Sequence, residues 1–158
     1  MRRHEAGFSL STQSDEAAAP RCGCRRSIVS QFAYNGWGGP KQMEHYTWEN
    51  LDKEVLNPRI WRKVIAGEKA MVAQVFISKG GVVPEHHHES EQITYILEGA
   101  LEFEIEGRTI VVSAGQVLRI PSHVPHRAVA LEDTLDLDIF SPIRTDWLTG
   151  QDDYLRHG

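Results

Sequence analysis

The residues with most chemistry to offer lie in one short run, Pro84-Glu85-His86-His87-His88-Glu89-Ser90-Glu91-Gln92, with His126 thirty-four positions after Gln92. In an extended segment successive side chains point to opposite sides, so His86 and His88 share a side and His87 takes the other. Two imidazoles therefore converge on one point. Gln92, an even four residues past His88, returns to that side if the chain stays extended, and its amide oxygen can be a third ligand. His126 follows Pro121-Ser122-His123-Val124-Pro125, whose prolines restrict the backbone and can fix an imidazole as the fourth. An isolated run of three histidines is ordinarily a solvated polar stretch. The spacing to Gln92 and His126 is what points instead to a divalent metal held by His86, His88, Gln92 and His126. Imidazole donors suit Zn, Ni, Fe, Mn or Cu, and ligand softness does not choose among them. His45, His87 and His157 are read as structural or surface residues.

Such ligands need a rigid frame. From residue 44 onward short apolar runs alternate with turn residues, the pattern of an all-β sandwich or barrel. The predicted strands are Arg59–Ile65, Ala70–Ser78, Gln92–Leu97, Leu101–Ile105, Arg108–Val112, Gln116–Ile120, Arg127–Ala130 and Thr134–Phe140. Gly67, Gly80-Gly81, Gly99, Glu106-Gly107, Ala114-Gly115 and Pro121 punctuate them. Leu101-Glu102-Phe103-Glu104-Ile105 alternates with period two, which turns the three apolar residues to the core and both acids to water. In Thr134–Phe140 the same period puts Leu135, Leu137 and Ile139 on one face and Asp136, Asp138 and Phe140 on the other. That second face fits a pocket wall, and equally an ordinary wet face. The tail Trp147–Leu155 is read as a helical turn, or as Trp147 packed on the barrel, with no chemistry of its own.

The order and spacing of these residues resemble the cupin family. Its first motif is Gly, five residues, His-x-His, three or four residues, Glu, six residues, Gly, and Gly80, His86, His88, Gln92 and Gly99 fall into that frame. Its second is Gly, five residues, Pro-x-Gly, two residues, His, three residues, Asn, matched by Gly115, Pro121 and His126. The resemblance covers residues 59–141 and implies a double-stranded β-helix, or jelly-roll barrel, with the metal near its mouth. Three positions depart from the pattern: Gln92 for Glu, His123 for Gly and Ala130 for Asn. The Gly position calls for positive φ, which His tolerates better than most residues, so His123 is read as a backbone accommodation and not a fifth ligand. The neutral Gln92 leaves a bound ion its full formal charge of +2, so such a site should welcome an anion.

Within cupins, His86 to Gln92, Pro121 to His126 and Asp138-Ile139-Phe140-Ser141-Pro142-Ile143-Arg144 are similar to pectin-degradation cupins that linearise 4,5-unsaturated monouronates. That resemblance assigns catalytic and substrate-lining roles to Asp138, Phe140 and Arg144. It implies an enzyme acting on a small carboxylated sugar, with Asp138 moving a proton and Arg144 holding the substrate carboxylate, and it implies a homodimer. A metal-dependent dioxygenase is a second reading, and a non-catalytic sensor or binding module a third.

The balance of the chain bounds these readings. With 158 residues, 41% hydrophobic and 25% charged, it has the make-up of a single globular domain. Residues 1–42 hold six Lys/Arg against three Asp/Glu, giving +3, whereas 43–158 hold eleven against nineteen, giving −8. An acidic folded part argues against nucleic acid as a partner. Residues 1–42 lack helical or strand periodicity and are read as a disordered leader or a mis-assigned start, with 43–158 as the barrel and a short C-terminal extension. Cys22 and Cys24 have no further thiol with which to frame a disulfide core or a four-thiolate zinc site. No apolar run is long enough for a signal core or a membrane span, which places the protein in the cytoplasm.

Overall fold

The computed structural model describes residues 43–156, so the leader expected over 1–42, and His157, lie outside the described residues. After a 3₁₀ turn at Trp48–Asn50 come ten strands: β1 (Glu54–Asn57), β2 (Ile60–Ala66), β3 (Met71–Ile77), β4 (Val82–His86), β5 (Glu91–Glu98), β6 (Ala100–Ile105), β7 (Arg108–Ser113), β8 (Val117–Ile120), β9 (His126–Ala130) and β10 (Thr134–Ser141). Two short helices follow, α1 (Thr145–Thr149) and α2 (Asp153–Arg156). The strands form a six-stranded sheet in the order β1-β2-β3-β10-β5-β8 and a four-stranded sheet in the order β4-β9-β6-β7. Every pairing is antiparallel. This is the jelly-roll architecture expected from the sequence.

Local chemistry explains the joints. Between β6 and β7 only Glu106 and Gly107 intervene, at φ 51° and 73°, the pair of positive dihedrals that a tight hairpin turn matched to strand twist requires. Gly99 joins β5 to β6 at φ 82°, and a Cβ there would stand 2.4 Å from the carbonyl oxygen of Asp133. Only glycine fits that corner.

Eight of the ten strands coincide with predicted ones to within one or two residues. The other two, β1 and β4, carry signals that hide a strand. β1 is four residues with Glu and Asn at its ends, and β4 has Pro84 inside it. That proline is tolerated because β4 is an edge strand whose register shifts between Val83 and His86.

The core lies between the sheets and includes Ile60, Met71, Ala73, Ile77, Ile96, Leu101, Phe103, Ile120 and Phe140. Leu101 and Phe103 are buried as the alternation predicts, Ile105 is half-buried against the core, and Glu104 is exposed. β10 settles the face left open by its sequence. Thr134, Asp136, Asp138 and Phe140 all point into the barrel and are buried, while Leu135, Leu137 and Ile139 are half-exposed outside. Aspartates line the interior of a strand whose leucines face out.

The C-terminal segment is bolted to the barrel. Arg62 on β2 is fully buried, its Nη1 2.6 Å from Oδ2 of the fully buried Asp152 as an ion pair, and its Nε donates to Glu54 Oε2 at 2.8 Å. Arg156 pairs with the same two acids at 2.6 and 3.1 Å, and Asn57 Nδ2 donates to the carbonyl of Leu155 at 2.7 Å. Trp147 packs edge-on against Phe140 with centroids 5.0 Å apart.

Candidate metal centre and active-site cavity

The ligand candidates come from both sheets. His86 ends β4 and His126 opens β9, and the two face each other across that strand pair. Gln92 lies at the start of β5, in register with Phe140 on β10 and Ile120 on β8, and His88 sits in the connection between β4 and β5. The ring centroids of His86, His88 and His126 are 4.2 to 5.7 Å apart. One nitrogen from each lies within 4.8 Å of those of the others. His87 is exposed on the opposite side, 6.4 Å from the ring of His123, and His45 is exposed as well. His123 has φ 62°, so its place in the loop is the left-handed one anticipated for a glycine position.

The protonation of the three rings follows from their backbone partners. Nδ1 of His86 lies 2.9 Å from the carbonyl of Pro84, Nδ1 of His88 2.7 Å from that of Ser90, and Nδ1 of His126 2.8 Å from that of Val124. A carbonyl only accepts, so each Nδ1 carries the proton and each Nε2 keeps its lone pair, the arrangement that presets an imidazole as a ligand. Burial above all, aided by the neighbouring charges of His126 and Arg144, lowers His86 to about 3. Burial again, then Arg144 and His126, lowers His88 to about 4. Burial also lowers His126. At neutral pH all three are uncharged donors.

Two features of this cluster call for a cation. His126 Nε2 is buried and has no partner among the described residues. His88 Nε2 lies 3.1 Å from Oε1 of Gln92, while Gln92 Nε2 donates to Thr94 Oγ1 at 2.8 Å and to Asp138 Oδ1 at 2.9 Å. With the amide oriented by those two bonds, Oε1 and Nε2 of His88 are two lone pairs facing each other. A positive ion between them removes the conflict, and the donor set of three imidazoles and one amide oxygen fits a divalent transition metal.

Asp138 lies beside this cluster. Its Oδ1 accepts from Gln92 and, through a short bond, from Thr94 opposite it on β5. Burial raises its carboxyl to about 6 against the opposing pull of the Thr94 and Gln92 bonds and the Arg144 charge. Asp136, one step deeper, is pushed well above the ordinary carboxylate range by burial and by the charge of Asp138, and its Oδ1 has no partner among the described residues. Phe140 stands edge-on to His88 at 5.6 Å. Gln92, Thr94, Asp136, Asp138 and Phe140 line one cavity together with His86 and His126.

Arg144 also lines the cavity, but it does not swing free over the mouth. It is 2% exposed, and its Nε and Nη2 form two bonds to Asp146 at 2.9 and 2.6 Å. The fork edge expected to grip a substrate carboxylate is thus held by Asp146, and Nη1 is the nitrogen left over. The ion pair with Asp146 that a surface arginine would make is present, in a buried setting. The tail, read as chemically silent, holds a cavity residue that sequence reasoning missed. Tyr154 on α2 stacks on His86, centroids 4.5 Å apart and planes 22° apart, and its hydroxyl accepts from Arg144 Nη2 at 2.9 Å. A lone tyrosine near the end of a polar tail carries no periodic or motif signal that could have found it.

Residues 73–141 match the family described as the cupin domain. Over 98 residues the chain is 33% identical to the pectin degradation protein KdgF of Dickeya dadantii, a match covering 60% of this chain and 89% of that protein. Among solved structures, KdgF from Halomonas sp. superposes with a TM-score of 0.62 at 36% identity, covering 66% of this chain and 99% of that one. An RmlC-like cupin from Shewanella frigidimarina superposes at 0.63 with 29% identity, covering 67% and 97%. With two facing antiparallel sheets, both spaced motifs and relatives matched over nearly their whole length, the chain belongs to the cupin family.

Proposed function

We propose that this cupin is a metal-dependent enzyme acting on a small carboxylated sugar, catalysing ring opening and enol-to-keto conversion of 4,5-unsaturated monouronates. The observation that carries the reading is the double duty of Gln92, which gives its oxygen to the imidazole cluster and its nitrogen to Asp138. One side chain thereby ties the candidate ligands His86, His88, Gln92 and His126 to a buried acid, Asp138, that shares a cavity with His86, Gln92 and His126. The likeness to KdgF, described as a pectin degradation protein, supports the substrate class.

When bound, a divalent ion would act as a Lewis acid, polarising a hydroxyl or carbonyl oxygen of the substrate. Asp138, ionised at neutral pH and held by Thr94 and Gln92, accepts the proton of the anomeric hydroxyl as the ring C–O bond breaks and the ring oxygen leaves as an enolate. It then delivers that proton to the enolate carbon, giving the ketone, so the reaction is an isomerisation with no net proton. Phe140 supplies the apolar side of the cavity, and Arg144 supplies positive charge for the substrate carboxylate.

The test is to load the purified protein with metal, measure its metal content, and incubate it with 4,5-unsaturated monouronates while following their ultraviolet absorbance. Loss of absorbance well above the spontaneous rate is expected. Metal binding without turnover would leave a binding module, and oxygen consumption with bound iron would favour a dioxygenase.

A further inference from the structure

The fork of Arg144 is occupied, so a carboxylate in this cavity needs a second donor from elsewhere. Tyr154 meets that need. Its oxygen receives Arg144 Nη2 at 2.9 Å and, more distantly, Trp147 Nε1 at 3.4 Å. With both lone-pair directions facing donors, the hydroxyl's own proton is directed away from them and must find an acceptor elsewhere. A phenolic hydroxyl is protonated at neutral pH, so that proton is available to donate. Arg144 Nη1, on the same guanidinium, is buried and has no partner among the described residues. Both side chains line the same cavity as His86 and His126.

We propose that Tyr154 Oη–H and Arg144 Nη1–H together form a two-donor corner that binds a carboxylate of the substrate, making the C-terminal extension part of the active site. The corner is built, not incidental. Asp146 fixes the guanidinium by two bonds, and the adjoining rings of Phe140 and Trp147 pack against it with centroids 5.3 and 4.9 Å from Cζ. The tyrosine ring is fixed by its stack on His86 and by the Asp152 and Arg156 ion pairs on either side of it in sequence. Two rigid donors with one positive charge bind a carboxylate much as a free arginine fork would, with the second hydrogen bond coming from a neutral hydroxyl.

The inference rests on the uronate reading for its reacting substrate, and the test separates the two. Tyr154→Phe keeps the ring on His86 and removes only the hydroxyl. In the metal-loaded enzyme KM for the unsaturated uronate should rise at least about tenfold, the worth of one hydrogen bond to a charged group, with kcat within about twofold. Metal content and Tm should match wild type, which separates substrate binding from a purely structural role. In parallel, binding of saturated D-galacturonate, which offers the same carboxylate and cannot react, is measured by calorimetry on wild type and variant. Tyr154-dependent galacturonate binding without turnover of any unsaturated uronate would sink the proposed reaction and leave the carboxylate corner standing. Unchanged KM and unchanged galacturonate affinity in Tyr154→Phe, or no galacturonate binding to wild type at all, would overturn the corner itself.

Discussion

At the scale of single residues, the site depends on where protons sit. Each candidate imidazole ligand is held neutral with the lone pair on Nε2, because its Nδ1 faces a backbone carbonyl. His86→Ala, His88→Ala and His126→Ala should each lose most bound metal, while His87→Ala keeps it, as read by metal analysis of the purified variants. In the proposed reaction Asp138 supplies the pH dependence. Its raised carboxyl, at about 6 in the metal-free protein, accepts a proton only when ionised, so activity falls as pH drops through that value. A cation on neighbouring Gln92 favours the carboxylate, which places the acid limb of kcat/KM at or below about 6 in the loaded enzyme. Gln92→Glu should retain metal, because it restores a carboxylate ligand. It also replaces the amide donor to Asp138 with a like charge, so the acid limb should move to higher pH in the kcat/KM profile.

At the scale of elements, β10 carries the least familiar chemistry, two aspartates on the inner face of a barrel strand. Burial and the charge of Asp138 raise the Asp136 carboxyl well above its value in the unfolded chain, which ionises above about pH 4. Its presence therefore becomes more costly as pH rises from there. Asp136→Asn should raise Tm over wild type, with the gain larger at pH 8 than at pH 4.5 in parallel melts. The tail is the second such element. Removing Asp152 leaves the fully buried Arg62 with Glu54 as its one carboxylate partner among the described residues and takes a partner from Arg156 as well, so Asp152→Ala should cost about 3 kcal/mol in denaturant unfolding. What was legible in the sequence followed regular spacing: the His-x-His alternation, the two motif frames, and eight strands with clear apolar periods. What was not legible depended on partners distant in the chain. Whether the acids of Thr134–Phe140 face in or out is decided by the sheet on which β10 packs. Tyr154 reaches His86 because Arg62, on β2, grips Asp152.

At the scale of the whole molecule, the barrel presents an outer sheet face with apolar residues in it. Tyr95 on β5 and Val117 on β8 are register partners, 37% and 60% exposed, and Ile93 is 37% exposed beside them. We propose that two copies meet on this face as a homodimer. Tyr95→Asp should then sediment as a monomer with its metal retained, and an unchanged sedimentation coefficient would move the contact elsewhere. None of the described helices is long and apolar enough to cross a membrane.

Proton transfer by Asp138 beside the candidate metal ligands is the step on which the proposed reaction turns, and one comparison isolates it. Asp138→Asn and wild type, brought to the same metal content, are given a saturating 4,5-unsaturated monouronate, and the initial loss of ultraviolet absorbance is recorded. The rate should fall by about 10²–10⁴-fold, the contribution of a well-placed acid or base. Equal rates at equal metal content would contradict the account.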